Sequence, residues 1–240
     1  MVRNSVVIAI LVVGIGVLLG MAPQPEQPVA AQDALQKFIA NTGRFYVASF
    51  MVKDRNKDVL ALLDQGELQK LDKSGKLQAL LQGERGGVLV VLSAFTAEEA
   101  RSLAGPLLGK GGKSVKLTIR PAIGTKSFAD PAMRKPITGA TMESYEAAYA
   151  MKGKAWVSEG NETSRSVIPQ HLTRISSLFD NGTVKLYISF EDNEDPRGFF
   201  IFTGKSRDEL KKLMADDPVI TAKWITFDFL SCKAPPATFK

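Results

Sequence analysis

One order of secondary-structure signals occurs twice in this chain, and few folds satisfy such a repeat. In the second half, Ile168, Leu172, Ile175 and Leu178 recur at steps of four and three, the spacing of one helical face. Asp180-Asn181-Gly182 ends that helix with residues suited to a left-handed exit. Val184, Leu186, Ile188 and Phe190 then alternate with polar or aromatic neighbours, as a strand does. Asn193 to Pro196 is turn chemistry, and Gly198 to Phe202 reads as a buried strand. Ser206 and Glu209 form a capping box ahead of Leu210, Leu213 and Met214. Pro218 stops this helix, a last strand runs from about Ala222 to Phe229, and a short first strand is expected at Ala155 to Val157.

The first half repeats the frame. Gly75 falls on Gly182, Leu68 and Leu71 fall on Ile175 and Leu178, and Leu77, Ala79 and Leu81 fall on Val184, Leu186 and Ile188. Val88 to Leu92 is the buried strand, Thr96 and Glu99 repeat the cap, Val115 to Ile119 closes the unit, and Phe45 to Val52 opens it. Between the copies, Pro121 to Thr141 is rich in Pro, Gly, Ser and Thr, and a short helical stretch follows near Met142 to Met151.

The expected fold is therefore α+β: two tandem ferredoxin-like βαββαβ units packed sheet to sheet as an intramolecular dimeric α/β barrel. A ferredoxin-like sheet carries helices on one face, so its other face must be covered, and a second copy can cover it. A small cleft is expected where each helix layer meets its sheet, a usual place for a small ligand. The organisation read from the sequence is a signal peptide or signal anchor at 1–31, a linker at 32–43 and copy 1 at 44–121. A linker with a short helix at 122–150, copy 2 at 151–231 and a tail at 232–240 complete it.

Val6 to Leu19 is an unbroken run of Val, Ile, Leu, Ala and Gly behind Arg3, and Val29-Ala30-Ala31 offers a small-residue cleavage site. Removal after Ala31 and retention as an anchor through residues 5–21 both fit this pattern. Either way the folded part is expected outside the cytoplasm, as a periplasmic, secreted or membrane-anchored protein. No Cys follows the run, which excludes a lipoprotein anchor.

The net charge of +6 is spread along the chain, without an Arg-rich stripe interleaved with aromatics, so no nucleic-acid partner is expected. Cys232 and His171 are single, which rules out an intramolecular disulfide and leaves no closed zinc site. A carboxylate-rich site for a hard cation stays open, but no metal ligands and no cofactor are assigned. Gly109 to Ser114 imitates a phosphate loop, yet Leu107 stands where its first glycine belongs and a strand follows instead of a helix. Asn161-Glu162-Thr163 and Asn181-Gly182-Thr183 fit glycosylation acceptors, relevant only in a host that glycosylates.

His171-Leu172 on the first helix, Gly182 after it, and Ala215-Asp216-Asp217-Pro218 after the second helix resemble the YCII-related family of the dimeric α/β-barrel superfamily. The resemblance covers roughly Ser166 to Phe229. It implies a small-molecule cleft in which His171 is an acid-base residue and an acidic residue, Asp217, its orienting partner. The first copy departs from the pattern: Asp64 occupies the position of His171, and Pro106-Leu107-Leu108 replaces the Asp-Asp-Pro stretch. The second copy also lacks the family's strong first strand, with Trp156 in a polar stretch. Each residue has a plainer reading beside this one. His171 borders the apolar face and can bridge core and surface. Asp216 and Asp217 can fix the turn at Pro218, Asp64 can be a solvated surface group, and Trp156 and Tyr187 can be core packing. The expected function is binding of a small-molecule ligand or a partner in the cleft. The alternative is a cofactor-independent enzyme using His171 as general acid or base. Oligomeric state stays open.

Overall fold

The computed structural model describes residues 29–53, 57–129, 141–157 and 161–240. The stretch expected as an export signal or anchor lies outside them up to residue 28. Among the described residues no helix is long and apolar enough to cross a membrane.

Eight strands are joined by hydrogen bonds into one closed antiparallel barrel: β1 (Thr42–Val52), β2 (Leu77–Gly83), β3 (Val88–Leu92), β4 (Val115–Thr125), β5 (Glu143–Lys152), β6 (Val184–Phe190), β7 (Gly198–Phe202) and β8 (Ile225–Ala234). The order around the barrel is β1-β3-β2-β8-β5-β7-β6-β4. Within the first half it runs β4-β1-β3-β2, and within the second β8-β5-β7-β6, so corresponding strands occupy corresponding places. The halves meet at two seams. At one, Gln82 and Gly83 of β2 pair with Lys233 and Cys232 of β8. At the other, Ala122, Ile123 and Gly124 of β4 pair with Phe190, Ser189 and Ile188 of β6.

Helices line the outside. They are α1 (Val29–Ala40), α2 (Val59–Leu62), α3 (Gln65–Lys73), α4 (Ala97–Ala104), α5 (Glu162–Asp180), α6 (Arg207–Ala215) and α7 (Pro218–Thr221), with a 3-10 segment over Gly105–Ser114. Strand alternation sorts the core into three layers. Phe199 and Ile201 point into the barrel with Val47, Leu81, Val91, Leu186 and Leu230, drawn from both halves. Phe200 and Phe202 of the same strand point the other way, under the second half's helices with Ile175, Leu210 and Met214. Leu80, Val90 and Leu92 do the same under the first half's helices.

The local signals largely hold. Gly75 and Gly182 have φ of 70° and 76°, the left-handed exit expected of them. The Ser206 side chain and the Glu209 carboxylate make the reciprocal capping box. Thr96 accepts from the Glu99 N–H at 3.1 Å, but Glu99 reaches back to the Phe95 N–H and to Lys76.

Several expectations are corrected. The helix near Met142–Met151 is the strand β5, and the strand at Ala155–Val157 is irregular chain. Ala, Glu and Met favour helix intrinsically, yet pairing with β7 and β8 on both sides overrides that preference. The second half thus has a long first strand. Residues 32–43 are not a linker but hold most of α1, whose Phe38 packs on Phe179 and Tyr187 at 5.9 and 5.8 Å between ring centres. The 122–150 linker yields its ends to β4 and β5, leaving 130–140 outside the described residues. The 232–240 tail is part strand: β8 continues to Ala234, beyond the expected end at Phe229, and Phe239 bridges to Phe128 and packs on Tyr145.

Candidate functional site

α5 and α7 bring His171 and Asp217 together. α5 presents His171 and Ile168 on its inner side, one turn apart, while α7 begins at Pro218 with Asp217 as its N-cap. The Asp217 Oδ1 accepts from the Val219 N–H at 3.1 Å. The same carboxylate meets His171 Nδ1 through both oxygens, at 2.9 and 3.0 Å. Asp217 is fully buried and His171 is 9% exposed, so the contact is shielded from solvent. A carboxylate only accepts, so Nδ1 carries the proton of this contact, and Nε2 is the ring nitrogen left for another partner. The turn-fixing and site-forming readings of Asp217 are both realised by one side chain. Asp216, exposed at the C-cap of α6, takes no part.

A cavity of about 90 Å³ opens beside this pair, between the helix layer and the outer face of the second half's sheet. Its lining is mostly apolar, and the aromatic rings of Trp156, Tyr187, Phe200, Trp224 and Phe227 contribute to it. Trp156 and Trp224 stack with ring centres 4.2 Å apart. The Trp156 reading as core packing and its reading as pocket lining therefore both hold. Burial pushes the Tyr187 phenol above its ordinary range.

Arg197 is the charged lining residue that sequence reasoning missed, along with Ser189, Trp224 and Phe227. It is 8% exposed, lies just before β7, and holds its guanidinium 4.9 Å from the Trp156 ring centre. The only sequence signal was its place between a turn proline and the buried strand. Ser189 of β6 adds a hydroxyl to the same wall.

The first half has no such pair. Asp64 is an exposed N-cap for α3, accepting from the Gly66 and Glu67 N–H groups at 2.9 and 3.0 Å. The register that sets Thr96 on Ser206 sets Leu107 on Asp217, and the Asp64 N–H donates to the Leu107 carbonyl at 2.8 Å. The contact between these two places in the fold is kept, with backbone groups in place of the side-chain pair. Gly109–Ser114 leads into β4, so it is not a phosphate loop followed by a helix. Cys232 is buried in the barrel, and burial pushes its thiol up to about 12, leaving it unreactive. Among the described residues no group of three or more His, Cys, Asp and Glu side chains is gathered as metal ligands would be.

No protein-family model matches the chain, and no curated protein matches its sequence. Solved structures share its fold. A chlorite dismutase from Candidatus Nitrospira defluvii, in a point-mutant form, superposes with a TM-score of 0.50 at 11% identity, covering 84% of this chain and 95% of that one. A heme-binding protein from Thermus thermophilus gives 0.46 at 11% identity, covering 80% and 92%. The chain is therefore an α+β protein with a closed eight-stranded antiparallel barrel, a fold it shares with the chlorite dismutase structure. At this identity the likeness is one of fold.

Proposed function

We propose that the protein binds a small molecule in the cleft of its second half, with His171 Nε2 as the polar contact and Asp217 holding the ring. The observation that carries this reading is the buried His171–Asp217 pair on the wall of a mostly apolar cavity. An orienting carboxylate on one imidazole nitrogen fixes the other for exchange of a proton or a hydrogen bond. The resemblance of this half to the YCII-related family supports the same assignment, and the equal strand order of the halves supports two tandem ferredoxin-like units. The apolar run Val6–Leu19 supports a site of action outside the cytoplasm.

A heme does not fit this cleft. Small-molecule clefts commonly measure roughly 300–1,000 Å³, and the space a macrocycle would need is filled here by stacked Trp156 and Trp224 with Phe200 and Phe227. The ligand is a molecule of a few heavy atoms.

The two tryptophans and the single histidine of the chain all line the cleft, so both residue types report on it directly. Phenol, propanol and propionamide, titrated separately, should shift the His171 ring resonances together with the tryptophan emission. If no fragment moves either signal, the cleft is not a binding site. A second reading, catalysis, is favoured by the carboxylate-held ring. It predicts slow consumption of a bound fragment, with a turnover rate at saturating fragment that His171→Asn abolishes, whereas a purely binding role would only weaken the affinity.

A further inference from the structure

Resting on that reading of the cleft, the hydrogen-bonding character of its wall defines the ligand more narrowly. Arg197, Trp156 and Trp224 each carry a buried N–H with no acceptor: the guanidinium Nε and both indole Nε1 atoms. Buried donors are nearly always paired, because an unmet one costs its full desolvation. Three on residues lining one small cavity form a pattern of donors without acceptors.

The arginine is also short of counter-charge. Its terminal nitrogens bond the carbonyls of Asp192, Glu194 and Phe190, which staples the turn between β6 and β7. Those contacts are neutral. The nearest carboxylate, Asp192, lies 3.9 Å away and is already gripped through both oxygens by Arg120 of β4. Burial holds the Arg197 guanidinium below the ordinary arginine range, with Asp192 acting in the opposite direction. On the other side of the cleft, Asp217 is engaged by His171 and the Val219 N–H.

We infer that the ligand is a small carboxylate, its oxygens accepting from Arg197 and the indole N–H groups and its apolar end against Phe200 and Phe227. A carboxylate suits an Arg197 Nε–H left without an acceptor beside indole N–H groups in the same state, since its two oxygens can accept from more than one donor. The short reach of the cavity limits the acid to a few carbon atoms. Such a ligand would supply the missing acceptors and the missing charge together.

The test compares propionate with propionamide on the full chain, with sodium chloride as the ionic-strength control and the emission of Trp156 and Trp224 as the readout. The two probes match in size and differ in charge. Propionate should bind about tenfold more tightly, the scale of a charge-assisted contact. Arg197→Gln should reduce that preference to less than about threefold. Because Arg197 also staples its turn, Trp156→Phe provides a second arm. It keeps the stacked ring and removes one N–H, and should weaken propionate by a larger factor than propionamide, because a donor's bond to a charged acceptor is the stronger one. Equal binding of the two probes overturns the carboxylate and leaves the cleft as a binding site. Binding of propionate that is untouched in both variants overturns the assigned donors. Silence toward propionate while phenol or propanol responds also overturns the inference. Silence toward every fragment removes the binding site itself.

Discussion

Asp217 makes two contacts that substitution can separate. Asn keeps a side-chain oxygen, and so keeps the cap on α7 and an acceptor for the His171 N–H; Ala keeps neither. Loss of an N-cap costs about 1 kcal/mol, and a stranded buried donor roughly 1–3 kcal/mol more. Asp217→Ala is therefore expected to lower unfolding stability by roughly 2–4 kcal/mol in urea titrations, and Asp217→Asn by less than about 1 kcal/mol. Equal losses would mean that neither contact contributes as described. The sequence exposed part of this site. His171 was visible from its place beside an apolar helical face, and Asp217 from its turn before Pro218. The family resemblance implied that the two are partners, but the residues alone did not show it, since positions on α5 and at the head of α7 meet only once the sheet has set the helices side by side. Arg197 gave no signal beyond its place between Pro196 and the buried strand, because nothing local distinguishes a buried arginine from an exposed one.

At the scale of elements, β5 is the lesson. Its run Glu143-Ser144-Tyr145-Glu146-Ala147-Ala148-Tyr149-Ala150-Met151 is rich in helix formers, and intrinsic preference pointed the wrong way. The alternation of Tyr145, Ala147 and Tyr149 was present but diluted by alanines on the other face. Those alanines are small because β5 is covered on both sides: Ala147 faces the barrel interior, Ala148 lies under the helices, and both are fully buried. Ala148→Leu should cost about 1–3 kcal/mol through overpacking, whereas on an exposed helix the same change is nearly neutral. Thermal unfolding of the single variant distinguishes these outcomes. The helices of both halves were legible because caps and glycine exits act within a few residues of sequence.

Across the whole molecule, the seams carry charged side chains beside few backbone pairs. At the β4–β6 seam Arg120 grips Asp192 and lies over the Phe190 ring at 3.9 Å, and Arg44 reaches Glu191 at 2.8 Å. At the β2–β8 seam Arg85 grips Asp228, while Glu84 accepts from the Ser231 N–H at 2.9 Å and from Arg207 at 2.8 Å. These contacts hold the carboxyls below their ordinary range: the Ser231 N–H and Arg207 for Glu84, and Arg85 for Asp228. At Asp192 burial pushes upward, but Arg120 and the Glu194 N–H outweigh it. A carboxyl depressed in the folded state stabilises the fold above its unfolded value, near ~4, and that stability is lost as pH falls through the folded value. Urea midpoints should therefore hold from about pH 7 to about 5 and then decline toward roughly pH 3. Arg120→Gln should lower stability at neutral pH by roughly 1–3 kcal/mol and make the acid decline shallower, because Asp192 then titrates nearer its unfolded value.

The barrel's closure also sets a timetable for synthesis. Gln82 of β2 finds its partner across the seam only in Lys233, and Ala122 of β4 only in Phe190. While the first half leaves the ribosome, its β2 and β4 have bare edges, the kind of surface that invites pairing between chains. Those edges stay open until the second half has been made, and the β2 edge until β8 itself has emerged. Contacts so distant in sequence slow folding. A nascent chain of this protein therefore passes through a long interval in which protection from its neighbours must come from something other than its own structure.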